Sequence, residues 1–233
     1  MIIKVFSIGR PGSGKSVAAH RLAEAAWNNG IPAMRLGDYE ILQKEALLED
    51  ALYQAEELSQ EQRRYYLTEH NGFGVRDFSV LDSALLKLRD RLDERVERAK
   101  DDSQLVVLEF ARDTYRRAFE LLGPDTLRDS FFLYVNANVE ECIARINERT
   151  LRPTTSDDHY VPEAILRSYY KNDDGYDLES HLAAYGVKSD HIFIVENHGT
   201  PYDFNSRVTE KSQIILAQVL EPPPASVPIA DAA

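Results

Sequence analysis

Eight consecutive residues carry the most specific chemistry in this chain: Gly9-Arg10-Pro11-Gly12-Ser13-Gly14-Lys15-Ser16. They satisfy the spacing G-x-x-x-x-G-K-S/T. The glycines let the backbone wrap closely enough for successive N–H groups to converge on one phosphate. A helix beginning at Lys15 adds the positive end of its dipole. Lys15 brings a compact charge to the β- and γ-phosphates, and Ser16 offers a hydroxyl to Mg2+. The alternative is a strand-to-helix turn that happens to be glycine-rich. The flanks favour the phosphate cradle, because an apolar run over Ile2–Ile8 precedes it and an amphipathic pattern over Lys15–Trp27 follows. Gly9, Pro11, Gly12, Ser13, Gly14, Lys15, Ser16 and Val17 are therefore the candidate nucleotide contacts. No G-x-G-x-x-G occurs at this turn, which excludes a dinucleotide site there. No N-K-x-D, no D-x-x-G after the third strand and no L-S-G-G-Q occur either, so a GTPase or a transport ATPase is disfavoured. ATP with Mg2+ is the expected cofactor pair.

Other chemistry-bearing residues fall near predicted strand ends. Asp38, in "RLGDYE", is either a carboxylate that takes a proton from a hydroxyl acceptor or holds a metal-bound water, or the N-cap of the next helix. Glu109, in "LVVLEFARDTY", stands where a metal-binding acid is expected at the end of an apolar strand, and shares the metal with Ser16. Arg112 follows in the loop, placed to grip a phosphate or to form a buried ion pair. Arg145, Arg149 and Arg152 share one helical face by spacing, and Arg167 follows beyond Pro153 and a polar run. A helix–loop–helix bearing arginines suits a lid that closes on a transferring phosphoryl group. A solvated face paired with Glu140, Glu141 and Glu148 is the plainer alternative. The candidate catalytic set is Lys15, Asp38, Glu109, Arg112, Arg149 and Arg152.

These residues need a scaffold. Five short apolar runs read as buried strands: Ile2–Ile8, Ala33–Leu36, Leu105–Phe110, Phe131–Val135 and Ile192–Val195. Helical patterns separate them, at 15–27, after the second strand, and near 113–122, 138–150, 162–172 and 206–220. Ser79 reads as an N-cap with Asp82 three residues on, opening a run through Leu81, Leu85, Leu88 and Leu92. Strands alternating with helices predict a parallel sheet covered on both faces, with ligands at the carboxyl ends of the strands. Residues 1–220 form one domain in this reading. A helical insert over 38–104 binds the acceptor, 145–170 is the lid region, and the Pro- and Ala-rich tail 221–233 is disordered. Arg63, Arg64, Tyr65, Tyr66, His70 and Arg76 are the insert's candidate acceptor contacts, with a helix surface packed by aromatics as the alternative for "RRYY".

Composition narrows the partners. Among 233 residues, 27 basic and 39 acidic side chains give a net charge of −12. Such a surface repels nucleic-acid backbones, so no nucleic-acid partner is expected and any anion needs a local basic site. The single cysteine, Cys142, excludes an intramolecular disulfide and a Cys-based metal cluster. It shares a helical face with Val139, Ile143 and Ile146, as a buried structural thiol would. No apolar run reaches ~18 residues, so no membrane span is expected. The short apolar start lacks a basic n-region and a cleavage site, which makes the cytoplasm the expected address.

These residues resemble the P-loop kinases of the nucleoside-monophosphate-kinase type, with adenylate kinase the nearest pattern, over about residues 2–218. Gly37-Asp38 is similar to that family's T-G-D turn, and Phe110 to Arg112 to its F-P-R. Arg145 and Arg149 are similar to its R-x-x-x-R, whose first arginine stacks on adenine and whose second contacts phosphate. Asp157, Asp158, Arg167 and Tyr170 are similar to the lid exit, and "HGTP" to the adenine-side turn, with Gly199 against the base. The resemblance implies a three-layer α/β P-loop NTPase sandwich around a five-stranded parallel sheet of order 2-3-1-4-5. It also implies phosphotransfer from Mg-ATP to a small-molecule acceptor, with a nucleoside monophosphate first among acceptors. Three positions depart from the family. Ile41 stands where an arginine holds the monophosphate, Leu108-Glu109 replaces a D-G pair, and a threonine replaces the lid arginine, with Arg152 as its substitute. A kinase of a non-nucleotide hydroxyl metabolite, or an ATP-dependent switch with no small acceptor, are the other readings. If Arg76 faces Arg112 across the cleft, the acceptor carries a phosphate. If Tyr39, Phe73 and Phe78 line that wall, it is a neutral hydroxyl compound with Asp38 as base. The missing arginine tilts the expectation to the second.

Overall fold

A computed structural model describes residues 2–68, 72–99, 103–155 and 157–220. Five strands form one parallel sheet: β1 (Ile2–Ile8), β2 (Ala33–Gly37), β5 (Gln104–Phe110), β6 (Phe131–Asn136) and β7 (Ile192–Glu196). Their spatial order is β2-β5-β1-β6-β7. Counting only these five strands in chain order, that is 2-3-1-4-5, as expected. The fold is a three-layer α/β sandwich.

The strands read as unbroken apolar runs because both faces are covered. Within β5, Val106, Leu108 and Phe110 join Phe6, Phe132 and Tyr134 on one face, under α3 (Ser79–Arg98) and α4 (Tyr115–Leu122). Leu105 and Val107 join Ile3 and Val5 on the other, under α1 (Lys15–Asn28) and α9 (Pro201–Leu220). Two short helices, α5 (Pro124–Leu127) and α8 (Leu178–Ala183), complete the connections.

The insert is not all helical. Between α2 (Tyr39–Gln54) and α3 lies an antiparallel hairpin, β3 (Tyr65–Leu67) with β4 (Phe73–Val75). Tyr65 is fully buried and donates its hydroxyl to Glu45 at 2.7 Å. Its β-prone neighbours suit a half-buried pleat better than a helix. "RRYY" is therefore neither helix surface nor cleft wall. Arg63 pairs with Asp50 at 2.7 Å, and Arg64 with the buried Glu49 at 2.5 Å. Arg76 lies over the Tyr66 ring, 5.2 Å from its centroid. His70 and the tail 221–233 lie outside the described residues.

Two helix ends differ from expectation. Ser79 is already helical and Phe78 holds the N-cap position of α3; Asp77, just before it, accepts from Ser79 N through Oδ1 at 2.9 Å. The helix expected over 162–172 is the short α7 (Glu163–Ser168). By contrast α6 (Val139–Leu151) starts from a capping box in which Asn138 and Glu141 satisfy each other's N–H groups. Cys142 is buried in α6, and burial pushes its thiol up to about 11. No helix among the described residues is long and apolar enough to cross a membrane.

Candidate active site

The phosphate cradle turns from β1 into α1, and its backbone requires glycine at three points, Gly9, Gly12 and Gly14. Gly12 has φ +81°, and a Cβ there would sit 2.5 Å from the Cys142 carbonyl oxygen. Gly14 has φ +104°, and its Cβ would meet the Asn197 amide nitrogen at 2.6 Å. The cradle is thus wedged between the first turn of α6 and the end of β7. Asn197 also donates to the Ser13 carbonyl at 2.6 Å, while the buried Ser13 hydroxyl has no partner. Gly9 starts the turn, and Val17 is half-exposed on α1.

Arg10, a variable position of the motif, turns away from the cradle. It forms a buried ion pair with Asp173 at 2.7 Å and donates to the Tyr170 and Ala137 carbonyls, both at 2.8 Å. Tyr134 donates to the other Asp173 oxygen at 2.6 Å. The cradle is so anchored to the chain leaving the lid. A charged side chain at a motif position with no phosphate duty was the only sequence signal for it.

Beside the cradle lies a cavity of about 460 Å3, lined by Lys15, Ser16, Asp38, Glu109 and Arg112 from the expected set. Burial pushes the Lys15 ammonium below its ordinary range; Glu109 opposes this and Arg149 adds to it. Asp38 is buried and stands at the N-cap position of α2, but its side chain accepts no capping hydrogen bond. Its Oδ2 instead accepts from Arg112 Nη1 at 2.6 Å. Arg112 also donates to the Ala111 carbonyl at 2.6 Å and the Leu81 carbonyl at 2.5 Å, while its buried Nε has no partner. The opposite wall carries Tyr39, Phe73 and Phe78; Arg76 is not part of it. Tyr39 stacks on Phe73 at 5.4 Å, and burial raises its phenol to about 12, so the hydroxyl stays protonated.

Glu109 does not stand alone. Arg35 on β2 reaches it at 2.5 Å, continues to Asp157 at 3.0 Å, and contacts His20 on α1. Asp157, His159, Tyr160 and Val161 roof the cavity, with His159 stacked 3.5 Å from Tyr39. The sequence reading missed Arg35, although one arginine in the apolar run "AMRLG" was a visible anomaly.

The lid arginines divide. Arg145 donates to the Asn197 carbonyl at 2.7 Å, and Arg149 to the His159 carbonyl at 2.9 Å; each keeps one buried N–H group without a partner. Arg167 is paired on the surface with Glu140 and Glu163. Arg152 is exposed beyond α6, and Gly199 lies in an exposed turn at φ +99°.

The donors fit a Mg2+ ion bound in the usual manner of phosphate-transfer sites. Such ions keep several waters and take one or two protein oxygens plus phosphate oxygens rather than a full protein cage. Ser16 and Glu109 line one cavity, and Arg35 engages only one Glu109 oxygen. No group of three or more His, Cys, Asp or Glu that could hold a metal occurs among the described residues.

No protein-family model matches the chain, and no curated protein matches it in sequence. Solved structures share the architecture distantly. A shikimate kinase from Acinetobacter baumannii in complex with shikimate is 13% identical, with 94% of each chain covered and a TM-score of 0.44. A gluconokinase from Sinorhizobium meliloti 1021 is 15% identical, again with 94% of each chain covered, at 0.46. Chaetomium thermophilum Kti12 in complex with ADP-AlF3 is 16% identical, covering 92% of this chain and 99% of that one, at 0.47. Likenesses this distant carry no argument about site or substrate.

Proposed function

We propose that this chain transfers a phosphoryl group from ATP to a hydroxyl of a small, uncharged acceptor. The observation that carries this reading is the charge balance of the cavity beside the cradle. Arg112 is matched by Asp38, and Arg35 by Glu109 and Asp157. Lys15 belongs to the nucleotide phosphates. Lys44, the remaining lining cation, is exposed one turn from Glu40. Among the described residues that line the cavity, no buried cation is left over for an acceptor phosphate or carboxylate, and an aromatic wall faces the Arg112–Asp38 pair.

In this reading Asp38 accepts the acceptor's hydroxyl proton through Oδ1, which Arg112 leaves unengaged. Arg112 holds the carboxylate in place. The protonated Tyr39 hydroxyl, buried without a partner, donates to the acceptor. Lys15 and the spare N–H groups of Arg145 and Arg149 meet phosphate oxygens, adding preorganised charge where it develops. Mg2+, held by Ser16 and Glu109, supplies further charge neutralisation when bound. The lid segment excludes water from the roofed cavity.

The test is a phosphotransfer screen with Mg-ATP that sets nucleoside monophosphates against uncharged nucleosides, sugars and other alcohols. Turnover is expected with an uncharged alcohol. Fast turnover of any nucleoside monophosphate would overturn the reading.

A further inference from the structure

Arg35 occupies a place where one side chain meets two parts of the site. In β2 it pairs with Val107 of β5, and Gly37 pairs with Glu109. Residues two apart on a strand share a face. Ala33, Arg35 and Gly37 therefore lie on the same face as Leu105, Val107 and Glu109, the face covered by α1. Glu109 is one diagonal step from Arg35, and His20 on α1 contacts Arg35 and, at 3.1 Å, Asp157. The guanidinium uses a different nitrogen for each neighbour: Nε for Glu109 at 2.5 Å, Nη2 for Asp157 at 3.0 Å, and Nη1 for His20. The planar fork presents these donors from three separate nitrogens in fixed directions, whereas an ammonium presents all of its donors from one atom.

The far end of this bridge is the roof of the cavity. From Asp157 the chain continues to His159, stacked on Tyr39, and to Tyr160, whose carbonyl oxygen would lie 2.5 Å from a Cβ on Gly72. The segment 157–161 thus spans from the sheet to the insert, and Arg35 fixes its sheet end. Without the guanidinium, Asp157 would keep only His20, at 3.1 Å, and nothing would join it to Glu109.

We infer that Arg35 is a positioning residue that ties the acid Glu109 to the lid segment 157–161, so that the acid is held in place only while the lid is docked. The bridge is a property of the folded chain and does not depend on the acceptor. Its link to catalysis rests on the kinase reading above.

Hydrogen exchange of the ligand-free full chain, followed in peptides covering 157–161, tests the bridge directly. Asp157→Asn and Arg35→Lys are each expected to speed exchange there by about tenfold, the usual scale for losing one charge-assisted contact. The double variant should exchange no faster than the faster single variant, because both changes break one bridge. Unchanged exchange in both single variants, or additive acceleration in the double, overturns the bridge. A second readout separates positioning from mere bracing: the ratio of acceptor-independent ATP hydrolysis to phosphotransfer. Both variants should raise that ratio while melting close to the parent. An unchanged ratio beside faster exchange overturns the positioning role. If the parent chain transfers phosphate to no acceptor, the kinase reading fails, and the exchange data still decide the bridge.

Discussion

The two halves of the cleft are built in opposite ways. The nucleotide half is local: residues 9–16 are contiguous, and each does its work through backbone shape or by facing one anion. The acceptor half is assembled from β2, α2, β4, β5 and the lid, whose contributing residues lie more than a hundred positions apart. The cradle leaves its lysine ready for phosphate. In the acceptor half carboxylates meet the buried cations. The first half is made for charge, the second for a hydroxyl group beside aromatic rings. Substitutions in each half can break or sharpen that contrast.

The largest effect is expected at Asp38. Breaking one side of a buried ion pair typically costs about 3–5 kcal/mol, because the other charge stays buried alone. Asp38→Asn should lower stability by about that amount and abolish transfer. The double variant Asp38→Asn/Arg112→Met removes the orphaned charge and should recover much of the stability in a denaturant melt. Transfer should stay lost. Recovery of transfer in the double variant would show that Asp38 only balances Arg112.

Lys15→Ala comes next. Losing one preorganised contact to developing charge removes roughly 2.7–4 kcal/mol of barrier lowering, or about 10²–10³ in kcat. Lys15 has its backbone carbonyl, not its ammonium, tied into the fold, through Ser7 at 2.8 Å. The melting curve should therefore barely move. Unchanged turnover would remove the cradle from the mechanism.

Legibility followed the same divide. The cradle was readable because its spacing is a backbone requirement that cannot be met by distant residues. The sheet order followed from the resemblance, and the strands from uninterrupted apolar runs. The Asp38–Arg112 contact was open in sequence, since strand ends 74 positions apart can face each other or not. Arg35 escaped notice because its two carboxylates come from β5 and the lid, and no periodicity links them to β2. The β3–β4 hairpin was hidden for another reason. Strands of three residues are too short for alternation to register against two long helices.

Gly12→Ala probes how rigid the local half is. An L-residue held at φ +81° costs on the order of 1–3 kcal/mol, and its Cβ must also push the Cys142 carbonyl away. Because that carbonyl belongs to the first turn of α6, the strain should spread to the helix bearing Arg145 and Arg149. The expected result is weaker ATP binding by calorimetry, with a smaller fall in stability than at Asp38. Unaltered ATP affinity would mean that the cradle tolerates a shift of α6.

The smallest effect should come from Arg76, and it bears directly on the acceptor. Stacked over Tyr66 at 5.2 Å, this guanidinium has a partner within the insert and does not line the cavity. Removing an exposed cation–π contact costs about 0.5–1 kcal/mol of stability. Were it to fold across the cleft onto a phosphate, Arg76→Ala would raise the acceptor KM, because a charge-assisted pair is worth about 1.5–3 kcal/mol. For an uncharged acceptor the same substitution should leave kcat/KM within about twofold, since twofold is only ~0.4 kcal/mol. Steady-state kinetics with the best alcohol from the screen measures this. A tenfold rise in KM would place Arg76 on the substrate and return a phosphate-bearing acceptor to first place.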